Sequence, residues 1–297
     1  MKNQGITVII PTYNCKDLLA RTLDSICTQS LDRTLFEVIV VDDGSSDGTD
    51  LLVSKYKSRL DVSYFFQSDE GFRVAAARNI GIRHAYFDTV LFLDAGIVIS
   101  SQLLALHMQY QTREDALVLI GTSYGVNDYS NKCEDTLRQV MNDEVDVALH
   151  KLGAVEETFD SRTSYLREID FDLARMAAPW LIFWGGHVSV PTQSLRHVGG
   201  FDEWFNRWGG EDNELGLRLY QLGCTFRVLR QVASIHLPHE KDPVQKRFDA
   251  RINTKYIHQK HGLIETSLLI DHNWKCIVSG NYAFADGGSC GCMSSGD

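Results

Sequence analysis

Short β-branched runs alternate with stretches of helical spacing through the first 125 residues. Ile6–Ile10 reads as a strand, followed by a helical stretch from about Lys16 to Gln29. Phe36–Val41 is a second buried strand, then come a helix near Thr49–Arg59, a strand at Val62–Phe66 and a helix near Val74–Phe87. Val90–Asp94, a helix at Ser101–Thr112 and a strand at Leu117–Gly121 continue the alternation. Strands joined by helical segments of about 10–15 residues imply right-handed crossovers and a mostly parallel sheet. Such sheets bind ligands outside the carboxyl ends of their strands. The polar residues that end these runs are therefore the candidates for chemistry.

The pattern changes from Val126 to Ala178, an acidic, polar stretch with helical pieces near Glu134–Ala148 and Tyr165–Met176 and no clear strand. It reads as an insertion, either a lid or acceptor-side wall or a surface elaboration. Core-like sequence resumes with Trp180–Val190, a helix at Glu211–Leu222, strands near Thr225–Leu229 and Val232–His236, and a helix near Val244–Gly262. The expected fold is α/β: a mixed, mostly parallel sheet flanked by helices, in one domain with a helical insertion. Its divisions are 1–125, 126–264 with the insertion at 126–178, and a C-terminal extension and flexible tail at 265–297.

Composition adds exclusions. The chain has 29 Lys and Arg against 39 Asp and Glu, a net charge of −10, so nucleic acid is not an expected partner. Any anionic nucleotide must be met by a local cluster of cations, backbone amides or a metal ion. Seven scattered cysteines read as reduced thiols, and Cys290 and Cys292 fall in a Gly/Ser-rich tail, more a flexible end than a zinc site. The start, Met-Lys-Asn-Gln-Gly, lacks an apolar region of signal-peptide length, and no apolar run approaches the roughly 18 residues of a membrane span. The expectation is a cytoplasmic protein without a transmembrane segment.

Four strand-end groups stand out. Pro11-Thr12-Tyr13-Asn14 follows the first strand; proline closes it and the Tyr13 ring can lie against a planar base. Asp42-Asp43-Gly44 follows the second, where a carboxylate can accept a hydrogen bond from a pyrimidine N–H; the bland account is a turn with Ser46 capping the next helix. Asp94 ends a buried run and aims at a ligand or metal, with Arg73 and Arg78 upstream as the cations that would answer a diphosphate. Last is Trp208-Gly209-Gly210-Glu211-Asp212, a flexible aromatic segment before a carboxylate pair. An acid held there can take a proton from an acceptor hydroxyl, although acids in a first helical turn are also common for dipole reasons. Beyond the strand near Val232–His236, His236 and His239 can share one metal ion, though such pairs are often incidental. His187, after Gly185-Gly186, either lines the acceptor side or packs as a structural histidine.

Together, Val8–Asn14, Val40–Asp47, Arg78-Asn79 with Gly81, and Trp208–Glu214 resemble the GT-A glycosyltransferases, in particular a family-2-like group of nucleotide-sugar enzymes, over roughly residues 5–262. The Trp-Gly-Gly-Glu-Asp run is similar to that of chondroitin-polymerase-type and β-1,4-galactosyltransferase-type enzymes. The resemblance implies that Asp43 reads the uracil of a UDP-sugar, with Pro11 and Tyr13 beside it and Arg78 near the nucleotide. It implies that Asp94 serves the ribose or a metal, that Asp212 is the catalytic base and that Glu211 supports it or holds the acceptor. Trp208, Gly209 and Gly210 would then line the acceptor site. It also implies a Mn²⁺ or Mg²⁺ ion held by Asp94, His236 and His239. One departure bears on that: Gly96 stands where the second acid of the D-x-D motif is usual. Either the histidines complete the site or little metal is needed, and a metal is the expectation here.

The expected reaction is inverting transfer from a UDP-sugar to a hydroxyl. The acceptor, whether glycan, lipid-linked sugar, small-molecule aglycone or peptide, is open. A non-catalytic nucleotide- or carbohydrate-binding homologue is the first alternative, suggested by Gly96. A sugar nucleotidyltransferase is the second, but it would open with a Gly-rich basic loop rather than Pro-Thr-Tyr-Asn.

Overall fold

In a computed structural model, which describes residues 3–126, 131–239 and 243–279, the alternation of the first half is realised element by element. β1 (Ile6–Thr12) leads through α1 (Lys16–Cys27) to β2 (Phe36–Asp42), and α2 (Thr49–Tyr56) leads to β3 (Val62–Phe66). α3 (Val74–His84) then returns the chain to β4 (Thr89–Leu93). There follow β5 (Ile97–Ile99), α4 (Leu103–Gln111), β6 (Leu117–Ile120), α5 (Asn131–Val140), α6 (Val145–Leu152) and α7 (Thr163–Glu168). β7 (His187–Pro191), α8 (Thr192–His197), α9 (Glu211–Gln221), β8 (Thr225–Val228) and β9 (Ser234–His236) come next. α10 (Pro243–His261), α11 (Ile264–Leu268) and α12 (Trp274–Val278) end the described chain.

The main sheet runs β3-β2-β1-β4-β7-β6-β8, and β5 pairs with β9 in a small second sheet. β1, β2, β3 and β4 are mutually parallel, with Ile6 opposite Phe36 and Thr12 opposite Asp42. The chain winds outward from β1 to β3, then jumps back to place β4 on the other flank of β1. That reversal opens a crevice beyond the carboxyl ends of β1 and β4, where ligands of such sheets sit.

Period-two alternation along β1 sorts its side chains to two faces. Ile6, Val8 and Ile10 pack with Leu19, Leu23 and Ile26 of α1 and Val53 of α2. Ile9 points the other way, into a cluster with Ala75, Ala77 and Ile82 of α3. Each such fully buried aliphatic side chain contributes about 1.5–3 kcal/mol. Gly81 lets α3 lie directly on β1, because a Cβ there would meet the Ile9 side chain at 2.5 Å.

The second half differs from the expected pattern in instructive ways. β7 is antiparallel to both β4 and β6, a direction that an apolar run does not encode. β5 and β9 are three residues each, too short for any periodicity. The stretch 134–148 is two helices, and the helix expected at 165–176 stops at Glu168, ahead of Asp170 and Phe171 with φ of 52° and 58°. Pro11 does not close its strand: it pairs in register with Val41, and β1 runs on to Thr12. Gly48, not Ser46, caps α2, while Asp47 accepts from the Thr49 backbone and hydroxyl. The insertion is helical and packs Cys133, Leu137, Leu149 and Leu152 on Ile235 and Leu237. Cys290 and Cys292 lie outside the described residues. Among the described residues, no helix is long and apolar enough to cross a membrane, and the cysteines at 15, 27, 133, 224 and 276 form no disulfide.

Candidate active site

A cavity of about 480 Å³ opens where the first turn of α9 faces the end of β4, and Asp94, Glu211 and Asp212 all line it. Two glycines deliver the acids. Gly209 and Gly210 have φ of 90° and 92°, a region that side chains disfavour, so the chain turns sharply into α9. The preceding loop is held rather than flexible, contrary to the expectation from its glycines. The buried Asn253 amide of α10 donates to the carbonyls of Arg207, Trp208 and Gly209 in succession.

Arg78 organises the acids. Its guanidinium is 3% exposed and donates to Glu211 Oε1 at 3.0 Å and to Asp94 Oδ1 at 2.8 Å. The Phe201 ring lies 5.2 Å away on its flank. Gly185 and Gly186 make room for this pair: a Cβ on Gly185 would stand 3.0 Å from the guanidinium, and one on Gly186 2.9 Å from Asp94 Oδ2. Arg78 is thus a counter-ion to two carboxylates, not a cation turned toward open space. Neighbouring Asn79 is structural, exchanging hydrogen bonds with the backbone of Phe201.

Asp212 is partly exposed to the cavity, and both its oxygens are fixed by backbone donors. Gly185 N–H reaches Oδ2 at 3.1 Å and Asn213 N–H reaches Oδ1 at 2.7 Å. Burial pushes the Asp212 carboxyl above its usual range, against the lowering effect of those N–H groups and of Arg78. Glu211 is also pushed up, by burial first and then by the Asp212 charge. Its Oε2 is buried without a hydrogen-bond partner. Glu214, the third acid of the turn, is fully buried and serves the scaffold by pairing with Arg218, Lys260 and His261.

Asp43, Tyr13 and Arg73 form a separate group beyond the ends of β1 and β2, outside the lining of the cavity. Asp43 N–H bonds Thr12 C=O at 2.9 Å, and its carboxylate accepts from Gln67 Nε2 at 2.5 Å and from the Arg73 backbone N–H at 2.8 Å. Burial raises the Asp43 pKa. Asp42, indistinguishable from it in the sequence, is spent on the Ser45 N–H and the Tyr64 hydroxyl. Tyr13 exposes its ring and donates its hydroxyl to Asp69. The Arg73 side chain is paired with Glu70. α3 connects the two groups: its N-cap residue, Arg73, holds Asp43 through the backbone, and Arg78 five residues on holds Asp94 and Glu211.

His236 and His239 also line the cavity, with ring centres 5.0 Å apart. Among the described residues, however, no three His, Cys, Asp or Glu side chains converge closely enough to ligate one ion. The expected trio of Asp94, His236 and His239 therefore shares a cavity without forming a ready three-ligand set, since Asp94 gives one oxygen to Arg78. Two imidazoles and a carboxylate suit Mn²⁺ better than Mg²⁺, whose ligands are nearly all oxygen. Gly96 has φ of 97°, so the backbone itself disfavours an acid at that turn.

His187 is 4% exposed at the cavity floor, and both its ring nitrogens are engaged, with Ser234 Oγ at 2.9 Å and His107 Nε2 at 2.9 Å. Its hydrogen-bonding capacity is used within the core, as the structural alternative expects, while the ring still lines the cavity. Sequence reasoning missed three further lining residues. Arg162 is buried, paired with Asp160 at 2.6 Å, and lies 4.2 Å from the Trp184 ring; Lys246 stands 4.7 Å from the Trp208 ring. The Asp-x-Arg spacing of 160 and 162 inside the insertion is the one local signal that pointed there.

Comparison with known proteins agrees with this architecture. The family described as Glycosyl transferase family 2 matches residues 7–170, and the one described as N-terminal domain of galactosyltransferase matches residues 168–240. Validoxylamine A glucosyltransferase of Streptomyces hygroscopicus subsp. jinggangensis is 41% identical over 80% of this chain and 56% of its own length. Chondroitin synthase of Escherichia coli is 32% identical over 86% of this chain and 38% of its own. The chain thus spans about half or less of the length of these relatives. Among solved structures, S. aureus TarS 1-349 in complex with UDP-GlcNAc superposes with a TM-score of 0.59 at 18% identity, covering 92% of this chain and 77% of that one, a likeness of GT-A fold.

Proposed function

The chain belongs to glycosyl transferase family 2, and from that premise we propose that it transfers a sugar from a UDP-sugar to an acceptor hydroxyl in one inverting displacement, with Asp212 as general base. In this reading residues 1–125 hold the nucleotide, with Asp43 and Tyr13 at the base, and residues 126–264 hold the acceptor. The acceptor oxygen attacks C1 of the sugar while its proton passes to the Asp212 carboxylate. The bond from C1 to the diphosphate oxygen breaks on the opposite face, and UDP leaves with that electron pair.

The observation that supports this reading is the setting of Asp212. Its two oxygens are oriented by backbone N–H groups, it faces the cavity, and burial lifts its proton affinity toward the range in which a carboxylate works as a base near neutral pH. Glu211, anchored by Arg78, supports that base from behind. Trp208 and Trp184 offer ring faces to a sugar. A divalent ion, where bound, neutralises charge on the departing diphosphate; His236, His239 and Asp94 are its candidate ligands.

The test is Asp212→Asn. Release of UDP in the presence of acceptor should fall by about 10²–10⁴-fold, while UDP affinity stays within about threefold, since the side chain lies on the acceptor side. Near-normal turnover in the Asn variant would remove Asp212 from the role. Production of pyrophosphate instead of UDP would indicate nucleotidyl transfer.

A further inference from the structure

Three cations among the described residues line the cavity, and two of them are already neutralised. Arg78 is shared by Asp94 and Glu211, and Arg162 is bound to Asp160 and to the carbonyls of Ile182 and Gly121. Lys246, on the first turns of α10, has no carboxylate within ion-pair distance among the described residues. Its ammonium faces the Trp208 ring at 4.7 Å, and burial lowers its pKa. A half-buried ammonium satisfied by an aromatic face alone has given up water without gaining an anion, a costly arrangement unless an anion arrives.

The charges around it sharpen the point. Asp94 and Glu211 outnumber Arg78, which they share, so a diphosphate entering there is repelled unless a second positive charge meets it. His236 and His239, the candidate metal ligands, line the same cavity as Lys246, which puts the ammonium in the chamber a leaving diphosphate must occupy. Asn253 holds the Trp208 backbone, and the Trp208 ring lies against the ammonium with no ligand bound.

We propose that Lys246 binds the diphosphate of the donor and balances the charge that builds on its terminal phosphate oxygen as the bond to C1 breaks. This rests on the nucleotide-sugar reading given above. Trp208 acts as the platform that holds the ammonium in place. A phosphate, sulfate or carboxylate on the acceptor would satisfy the same cation, and the two sources are separable because donor binding can be measured with no acceptor present.

The experiment is calorimetric titration of the whole chain with UDP, uridine and inorganic pyrophosphate, comparing wild type, Lys246→Gln and Lys246→Arg. Lys246→Gln should weaken UDP and pyrophosphate by about tenfold or more, as loss of a charge-assisted contact does. It should leave uridine unchanged, which also shows that the variant is folded. Lys246→Arg should stay within about threefold of wild type for both anions. Unaltered UDP and pyrophosphate affinity in Lys246→Gln overturns the assignment while leaving the transfer reading intact, as does an equal loss in Lys246→Arg. Failure of the wild type to bind UDP at all removes the donor reading and this inference with it.

Discussion

Arg78 meets Glu211 across 133 residues of chain and closes on it at 3.0 Å. The contact ties α3, which carries the nucleotide-side residue Arg73 at its start, to the first turn of α9, which carries the proposed base. Both groups are buried, so neither ion is stable without the other.

Replacing Arg78 by Met should therefore cost about 3–5 kcal/mol in urea denaturation, because Glu211 and Asp94 lose their shared counter-ion and Glu211 must take up a proton to stay buried. Glu211→Gln should cost less, and the double variant should be less damaged than the sum of the two. Strict additivity would mean that the pair contributes no coupling and that Arg78 matters through Asp94 alone.

The same burial sets the pH dependence of activity. Asp212 must be ionised to accept a proton, and its pKa is raised, so the acid limb of kcat/KM should lie above the ordinary carboxylate value of about 4. The Asp94 charge also raises Asp212, and the limb should move to lower pH in Asp94→Asn. For stability the sign is the reverse of a salt-bridged acid. A carboxyl whose folded pKa is raised stabilises the fold below its unfolded pKa, and that contribution is lost as pH rises through the folded value. A limb at or below pH 4, or one unmoved by Asp94→Asn, would contradict the assignment.

His107 and His187 contribute in the opposite direction. Burial pushes His107 down to about 3, and burial with its neighbours pushes His187 well below its usual value, so both are neutral in the folded core. The unfolded chain takes up their protons below about pH 6.5, and stability is lost as pH falls from there toward the folded values. Each histidine contributes a slope of up to about 1.4 kcal/mol per pH unit. His107→Gln should flatten the loss of stability between pH 6.5 and 5 by about that amount. An unchanged slope would mean that the pair is not the acid-sensitive element of the core.

The parallel half of the sheet and the acids at its strand ends were legible because each strand is a buried run stopped by a polar residue. Asp94 stood out for that reason and Asp212 for its place after an aromatic residue and two glycines, and both line the cavity. The division of labour within each acidic group was not legible. Asp42 and Asp43 are neighbours in sequence, yet Tyr64, twenty-two residues on, claims the first. Glu214 looks as available as Asp212 until Lys260 and His261 return from α10 to bury it. Arg78 read as a phosphate ligand because its two carboxylate partners are remote in the chain. The antiparallel direction of β7 likewise depends on which neighbours it finds, not on its own residues.

The proposed metal dependence is tested at the His236–His239 pair. With Gly96 at a left-handed turn, the chain offers no acidic side chain two residues after Asp94, and the backbone conformation disfavours one there. Any divalent ion must then rely on imidazole donors, Asp94 and the donor diphosphate. His239→Ala should raise the Mn²⁺ concentration needed for half-maximal transfer by about tenfold or more, with a smaller change in UDP affinity measured in chelator. Excess chelator should reduce wild-type transfer strongly and reversibly. Full activity in chelator, or a Mn²⁺ requirement untouched by His239→Ala, would mean that charge on the leaving group is carried by the protein's own cations.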